Sequence, residues 1–155
     1  MDDILKRLDE RLSVTSVVME ESQIRVEARL SSNGASCPRC GCHSSRRHSL
    51  YTRTWMDVPE GAMPVSVRLA LPKWFCDEKG CAQSVFAERL EWLPSYNRRS
   101  SRLDSQIRAL AFSMSALQTE RVCSQFGIRI SHDAVLRLVY KTGVDESASP
   151  FRRNR

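Results

Sequence analysis

Cys37-Pro38-Arg39-Cys40 and Cys76-Asp77-Glu78-Lys79-Gly80-Cys81 are two cysteine pairs, and 35 residues separate Cys40 from Cys76. Each pair can present two thiolates on one side of a metal ion, and four thiolates form the tetrahedral cage that structural Zn2+ prefers. Gly41 and Gly80 suit the tight backbone of metal-binding knuckles, where amide groups can donate to sulfur. The spacing therefore predicts one structural Zn2+ bound by Cys37, Cys40, Cys76 and Cys81.

The cysteine pattern alone leaves three alternatives open. The two pairs could be coincidental, although they flank a predicted hairpin. Cys42 or His43 could replace one thiolate and give a Cys3His site. A redox role for Cys37 requires a helix after the first pair, and the segment 41–45 does not favour one. Cys123 is predicted to be a core cysteine on the inner face of a helix.

Composition and charge narrow the class of protein. The net charge is +6, divided as −2 over residues 1–30 and +8 over residues 31–155, which favours a polyanionic partner, nucleic acid first. No apolar run approaches the roughly 20 residues of a membrane span, and the acidic N-terminus lacks the apolar region of a signal peptide. We therefore predict a cytoplasmic protein without a membrane partner. In a reducing compartment, paired cysteines favour metal binding over disulfides.

The first ninety residues read mainly as strands. Residues 2–12 have helical apolar spacing, whereas residues 13–18 and 23–30 are strand-like, and the second of these alternates apolar and polar side chains. Between the cysteine pairs, residues 49–58 and 65–71 predict two strands joined by a turn. A strand, a turn and a strand between two knuckles are the layout of a zinc ribbon.

Three short helices are predicted from Ser101 onward. Ser115 and Gln118 have the spacing of a capping box, Gly127 ends the second helix, and Ser131 can cap the third. We divide the chain into residues 1–90, with N-terminal strands and zinc ribbon, a basic linker at 91–100, a helix-turn-helix at 101–143 and a polar tail at 144–155. The predicted fold class is α+β, a small β-rich zinc ribbon followed by a three-helix helix-turn-helix domain.

Two groups of residues are candidate DNA contacts. The third helix and the turn before it would read base edges and hold phosphates, with Arg137 suited to guanine and Lys141 to phosphate. A second group is an arginine arm in and after the linker. The alternatives are a helical bundle with a solvated polar face and a solvated linker. The candidates are Arg98, Arg99, Arg102, Arg129, Ser131, His132, Asp133, Arg137, Tyr140 and Lys141.

Several short motifs in this order resemble one known family. The segments Cys37–Gly41, His48–Arg53, Asp57–Pro59, Trp74–Cys76 and Phe86–Leu90 resemble the zinc-finger region of insertion-sequence transposases of the ISL-three family. The segment Phe126–Leu138 is similar to the helix-turn-helix that follows it in that family. The similarity runs from about residue 10 to 142 and is more specific than any single motif.

The resemblance implies that this chain recognises transposon ends on double-stranded DNA, in a prokaryotic, nucleoid-associated setting. Complete members of the family also carry a catalytic domain with three metal-binding carboxylates, and no such trio can be assigned here, so we expect a DNA-binding module that is not an enzyme. Arg46, Arg47 and Arg53 of the ribbon are further phosphate candidates. A homodimer is compatible with this interpretation. The alternative functions are a stand-alone DNA-binding regulator or repressor and a zinc-stabilised protein-interaction module, with a redox enzyme a distant third.

Overall fold

A computed structural model describes residues 5–93 and 95–141 of the 155-residue chain. Seven strands precede three helices: β1 (Leu12–Met19), β2 (Ile24–Leu30), β3 (Ala35–Ser36), β4 (His43–Ser44), β5 (Arg47–Glu60), β6 (Met63–Phe75), β7 (Val85–Ala87), α1 (Ser101–Ser113), α2 (Ala116–Gln125) and α3 (His132–Tyr140). This mixed α and β architecture confirms the coarse fold class. The predicted strands at 13–18, 23–30, 49–58 and 65–71 are all present, and the two between the cysteine pairs are longer than predicted.

The main sheet is built around the long β5–β6 hairpin. Its strand order is β1-β2-β6-β5, and β7 pairs with the end of β6. β1 and β2 form an antiparallel hairpin, whereas β2 runs parallel to β6 from the Ile24–Val65 pair to the Arg29–Ala70 pair. This parallel pairing, which the sequence does not predict, joins the N-terminal strands to the ribbon in one sheet.

One face of this sheet is apolar and buried. The side chains that alternate onto it include Val26 of β2, Trp55 of β5 and Leu69 of β6, each at most 1% exposed. Leu5, Leu12, Leu90 and Leu93 cover this face from the N-terminal segment and from the segment after β7. Because strand side chains alternate in direction, the intervening positions point to the opposite face, where Arg29 and Arg68 are exposed and their neighbours on these strands are half-buried.

The predicted helix over residues 2–12 is wrong in its C-terminal half. Only Leu5 and Lys6 are helical among its described residues, and residues 2–4 lie outside the described part of the chain. Leu12 instead opens β1, where it pairs with Leu30, and Asp9 accepts a hydrogen bond from the Arg11 amide in the preceding turn. Strand pairing with β2 therefore overrides the helical spacing of the leucines.

The three helices have a core of their own against the far end of β5. Leu103, Ile107, Cys123, Ile128, Ile130 and Val135 form it, and Met56 and Val58 of β5 pack on it. Ser100, Ser115 and Ser131 cap the three helices, and the capping box of Ser115 with Gln118 is confirmed. Cys123 is fully buried in this core, as predicted, and burial raises the pKa of its thiol.

Segment 95–100, predicted as part of a basic linker, lies along β5. The amide of Met56 donates to the carbonyl of Arg98 at 2.8 Å, and the amide of Ser100 donates to the carbonyl of Met56 at 2.9 Å. Arg53 donates from its guanidinium to the carbonyls of Leu93 and Asn97 at 2.7 and 3.3 Å. The chain is thus attached to the sheet where it enters α1. The predicted tail at 144–155 lies outside the described residues.

Candidate metal centre and basic surfaces

The first cysteine pair lies in a closed backbone turn. The amide of Gly41 donates to the carbonyl of Cys37 at 2.9 Å, and the amide of Cys37 donates to the carbonyl of Cys42 at 2.9 Å. Gly41 has a φ of +77°, a conformation that glycine adopts without steric cost. The short strands β3 and β4 pair on either side of this turn and hold its two ends together.

The second cysteine pair lies between β6 and β7. The amide of Cys76 donates to the carbonyl of Ser84 at 2.8 Å, and the amide of Cys81 donates to the carbonyl of Glu78 at 3.1 Å. The amide of Gln83 points at the Cys81 sulfur, 3.4 Å away. Amide donors of this kind stabilise a metal-bound thiolate.

The two turns bring four sulfurs into one cluster. The Sγ atoms of Cys37, Cys40, Cys76 and Cys81 all lie within 4.8 Å of one another, with 3.9 Å between Cys37 and Cys81 and 3.5 Å between Cys40 and Cys76. A tetrahedral zinc ion with Zn–S bonds near 2.3 Å places its sulfurs about 3.8 Å apart. The cluster therefore has the size and the donor set that zinc requires.

Cys42 and His43 lie outside this cluster. In the described part of the chain, the four cysteines are the one group of metal-binding side chains that converges in this way. The Cys42 thiol instead contacts the carbonyl of His43 at 3.7 Å, and the His43 ring lies against Gly34, where a β-carbon would meet it at 2.6 Å. The geometry thus favours four thiolates over the Cys3His alternative.

The electrostatics of the cluster call for a cation. Amide donors from Cys40 and Arg39 lower the pKa of Cys37 to about 7 despite its desolvation. The amide of Glu78 favours the Cys76 thiolate, but desolvation and the three neighbouring cysteine sulfurs outweigh it and raise the pKa of Cys76 to about 12. The Cys37 thiol therefore loses its proton readily, whereas the Cys76 thiol keeps its proton, because a second thiolate would place another negative charge in the same cluster. A bound divalent cation removes that conflict.

Comparison with known families agrees with this chemistry. Residues 34–81 match the family described as the zinc-finger of transposase IS204/IS1001/IS1096/IS1165, and all four cysteines fall within the match. Residues 34–81 are therefore similar to the zinc ribbon of this transposase type. The zinc ribbon with its four close cysteines fits one structural zinc ion, and it indicates a zinc-dependent nucleic-acid-binding module. Searches of curated proteins and of solved structures returned no significant match.

None of the helices in the described residues has both the length and the apolar character to span a bilayer.

The predicted DNA contacts fall into exposed and internally paired groups. His132 is half-buried, and its amide and Nδ1 both lie within 3.0 Å of the Glu120 carboxylate of α2. Arg99 contacts Asp104 at 2.6 Å. The exposed group is Arg98, Arg129, Ser131, Asp133, Arg137, Tyr140 and Lys141.

Arg102, predicted as a DNA contact, has an internal partner that its sequence context does not indicate. Its guanidinium binds both carboxylate oxygens of Asp57, a β5 residue that is only 1% exposed. Asp57 also accepts hydrogen bonds from the Ser100 hydroxyl at 2.7 Å and from the Val58 amide at 2.8 Å. This network ties the first turn of α1 to the sheet. Asp57 lies in the Asp57–Pro59 motif, but nothing in the motif itself indicates a buried carboxylate.

The zinc ribbon carries a strip of stacked basic and aromatic side chains. The Arg46 guanidinium lies 4.6 Å from the centre of the Phe75 ring, and that of Arg47 lies 5.5 Å from the Trp74 ring. Stacking orients a guanidinium without consuming its hydrogen-bond donors, so it can still bind phosphate. Arg46 also pairs with Asp77, whereas Arg53 is held by the backbone carbonyls that precede α1.

Proposed function

We propose that this chain is a zinc-stabilised, sequence-specific double-stranded DNA-binding module that recognises transposon ends. In this proposal α2, the turn at 126–131 and α3 act as a helix-turn-helix, and α3 enters the major groove. The activity proposed for α2, the turn and α3 is DNA binding. A stand-alone repressor would use the same surface, and the genomic neighbourhood of its binding site would distinguish the two.

The observation that carries the proposal is the exposed, anchored face of α3. Val135 is fully buried, while Arg137, Tyr140 and Lys141 point to solvent from the same helix. At the helix N-terminus, Ser131 accepts a hydrogen bond from the Ala134 amide, and Glu120 of α2 binds His132. A recognition helix needs this combination of a free polar face and a fixed position relative to the preceding helix.

Electrostatics favour nucleic acid over protein as the partner. The helix-turn-helix candidates include Arg129, Arg137 and Lys141, all exposed and without an ion pair among the described residues, against the single exposed carboxylate of Asp133. Arginine binds guanine through two parallel hydrogen bonds, whereas lysine holds phosphate as a point charge. We therefore assign base contact to Arg137 and phosphate contact to Lys141.

Selection of bound duplexes from a random DNA library, with and without a zinc chelator, tests the function. We expect a defined sequence to be enriched by the zinc-bound protein, and to be enriched more weakly after chelation removes the ribbon's contacts. Size-exclusion chromatography of the complex would show whether two copies bind. A protein-interaction module would enrich no sequence and show little salt dependence in DNA binding.

Substitutions on α3 test the assignment of roles. Arg137→Ala should weaken binding to the selected site by about 1–3 kcal/mol and alter binding to random duplex less. Lys141→Ala should weaken binding to all duplexes alike and reduce the salt slope by about one. Arg7→Ala removes an exposed arginine between Leu5 and Leu8, which pack on the apolar face of the sheet, and should change neither. Equal losses on all sequences for Arg137→Ala would contradict its base-reading role.

A further inference from the structure

The polar face of the main sheet forms an open floor between two projecting units. The register places Thr52 opposite Ala70 and Thr54 opposite Arg68, and on the other side of β6 it places Arg29 opposite Ala70 and Glu27 opposite Arg68. Directly paired residues share a face of the pleat, so these side chains all point to the same side. Thr52, Thr54, Arg29 and Arg68 are exposed on that floor.

The helices stand at one end of this floor. Met56 and Val58 follow Thr54 on the same face of β5, and both pack against the core of the helices. Met56 also pairs with Ser66, and a groove lined by Met56, Ser66 and Arg129 separates the sheet from the turn before α3. The proposed recognition helix is therefore mounted on the polar side of the sheet.

The zinc ribbon's cysteine cluster stands at the other end of the same floor. Trp74 follows Ala70 and Pro72 on this face of β6, and it packs with Phe86 and Cys37 in the small core of the metal centre. Arg47 pairs with Trp74 and lies over its ring. The metal centre and the helices thus project from one side of a shared strand pair.

The distance between the two units is set by β5. On β6, eight residue steps separate Trp74 from Ser66, the partners of Arg47 and Met56, which at about 3.3 Å per step gives roughly 26 Å along the strand. One turn of B-DNA is about 34 Å long. A duplex lying along the floor could therefore meet α3 in one major groove and Arg47 somewhat less than one turn away.

The charge of the floor fits a phosphate backbone. The Arg29 guanidinium has no ion-pair or hydrogen-bond partner in the described residues, and the Arg47 guanidinium has only a long contact of 3.4 Å to the Ser32 carbonyl besides the Trp74 ring. Arg25 and Arg68 are balanced by Glu20 and Glu27. The exposed hydroxyls of Thr52 and Thr54 add neutral donors of the kind that bind phosphate.

We infer that this floor is a second DNA-binding surface, along which the duplex backbone runs from α3 to Arg47. The inference rests on the proposed function and extends it from one helix to a composite footprint. Base reading belongs to α3, whereas Arg29 and Arg47 bind phosphates of the adjacent turn without reading sequence. The duplex that gives full affinity is therefore about one turn longer than the sequence that α3 selects.

A salt titration of the zinc-bound protein tests the surface. Each phosphate contact contributes about 0.9 to the slope of log K against log salt, so Arg29→Gln/Arg47→Gln should lower the slope by about two. At 0.1 M salt this corresponds to a loss of roughly tenfold in affinity for each arginine. Sequence preference should be retained. Arg7→Gln removes an exposed charge between Leu5 and Leu8, which pack on the opposite, apolar face, so it is the matched control and should leave the slope unchanged.

Duplex length provides the second readout. Shortening the selected duplex by one turn on the ribbon side should weaken the unsubstituted protein and leave the double variant unaffected, because the contact is already lost. Additive losses, or a salt slope that the double variant does not change, would overturn the inference while sequence-specific binding through α3 still stood. If the unsubstituted protein binds no duplex at all, both the proposed function and this inference fail.

Discussion

At the scale of single residues, the zinc site can be tested with two cysteines, one inside the cluster of four sulfurs and one just outside it. Cys76→Ser removes one of the four clustered sulfurs, whereas Cys42→Ser removes a sulfur that contacts only the neighbouring carbonyl of His43. We expect the first variant to lose stoichiometric zinc, since a serine hydroxyl is a far poorer ligand than a thiolate. The second variant should retain one zinc per chain.

Metal analysis after gel filtration measures both variants against the unsubstituted protein. A zinc-free but folded unsubstituted protein would contradict the metal centre. Loss of zinc from Cys42→Ser, with retention by Cys76→Ser, would instead show that Cys42 and not Cys76 is the fourth ligand.

Asp57 is the residue whose loss should cost most outside the metal centre. Asp57→Asn weakens a buried bidentate contact with Arg102, and we expect the free energy of unfolding to fall by about 2–4 kcal/mol. The exposed pair of Glu27 with Arg68 is the matched control, and Glu27→Gln should cost less than about 1 kcal/mol. Denaturant unfolding measures both. Equal, small effects would show that the Asp57 network does not stabilise the joint between sheet and helices.

At the scale of elements, the turn between α2 and α3 depends on one glycine. Gly127 has a φ of +69°, and a β-carbon there would meet the side chain of Pro64 at 2.7 Å. Gly61 has a similar φ of +60° with open space around it. Gly61→Ala therefore adds only the conformational cost of about 1–2 kcal/mol, whereas Gly127→Ala adds a clash with the β5–β6 hairpin.

The difference between the two variants isolates the contact of the helices with the sheet. We expect Gly127→Ala to lower the free energy of unfolding by at least about 1 kcal/mol more than Gly61→Ala. Matched denaturant titrations give this value. Equal losses would mean that the turn shifts away from Pro64 at no cost.

How far each element could be predicted depends on how local its determinants are. The caps at Ser115 and Ser131 are set by residues within one helical turn, so the sequence predicts them correctly. The leucines up to Leu12 have helical spacing, but pairing with Leu30 is a non-local effect that local spacing does not show. The parallel pairing of β2 with β6 is non-local in the same way.

The candidate site shows the same division. The cysteine cluster could be predicted because zinc restricts both ligand type and spacing. The surroundings of the arginines could not, since only the fold shows that Arg102 meets a buried carboxylate and that Arg53 binds backbone carbonyls. An arginine in a basic run has the same sequence signature whether it faces solvent or an internal partner.

At the scale of the whole molecule, zinc removal should destabilise some parts of the chain and leave others folded. The core of the main sheet and the core of the helices contain no zinc ligand, whereas Cys37, Cys76 and Cys81 belong to the third, smallest core with Trp74 and Phe86. We expect chelation to increase hydrogen exchange at 35–46 and 76–87, while β2 and α1 stay protected. Mass spectrometry of exchanged peptides measures this pattern. Uniform exchange along the chain would show that zinc supports the whole fold.

The parallel pairing of β2 with β6 also has a consequence for the time course of folding. About 40 residues lie between Arg29 and its partner Ala70, and a zinc ion that joins Cys37 to Cys76 shortens the connecting path to about 14. Loop-closure entropy then falls by about 1 kcal/mol, which corresponds to roughly fivefold faster closure of the sheet if closure limits the rate. Stopped-flow refolding with zinc present from the start or added late would measure the difference. Zinc would then bind early in folding, and its binding would set when β1 and β2 can pair with the ribbon.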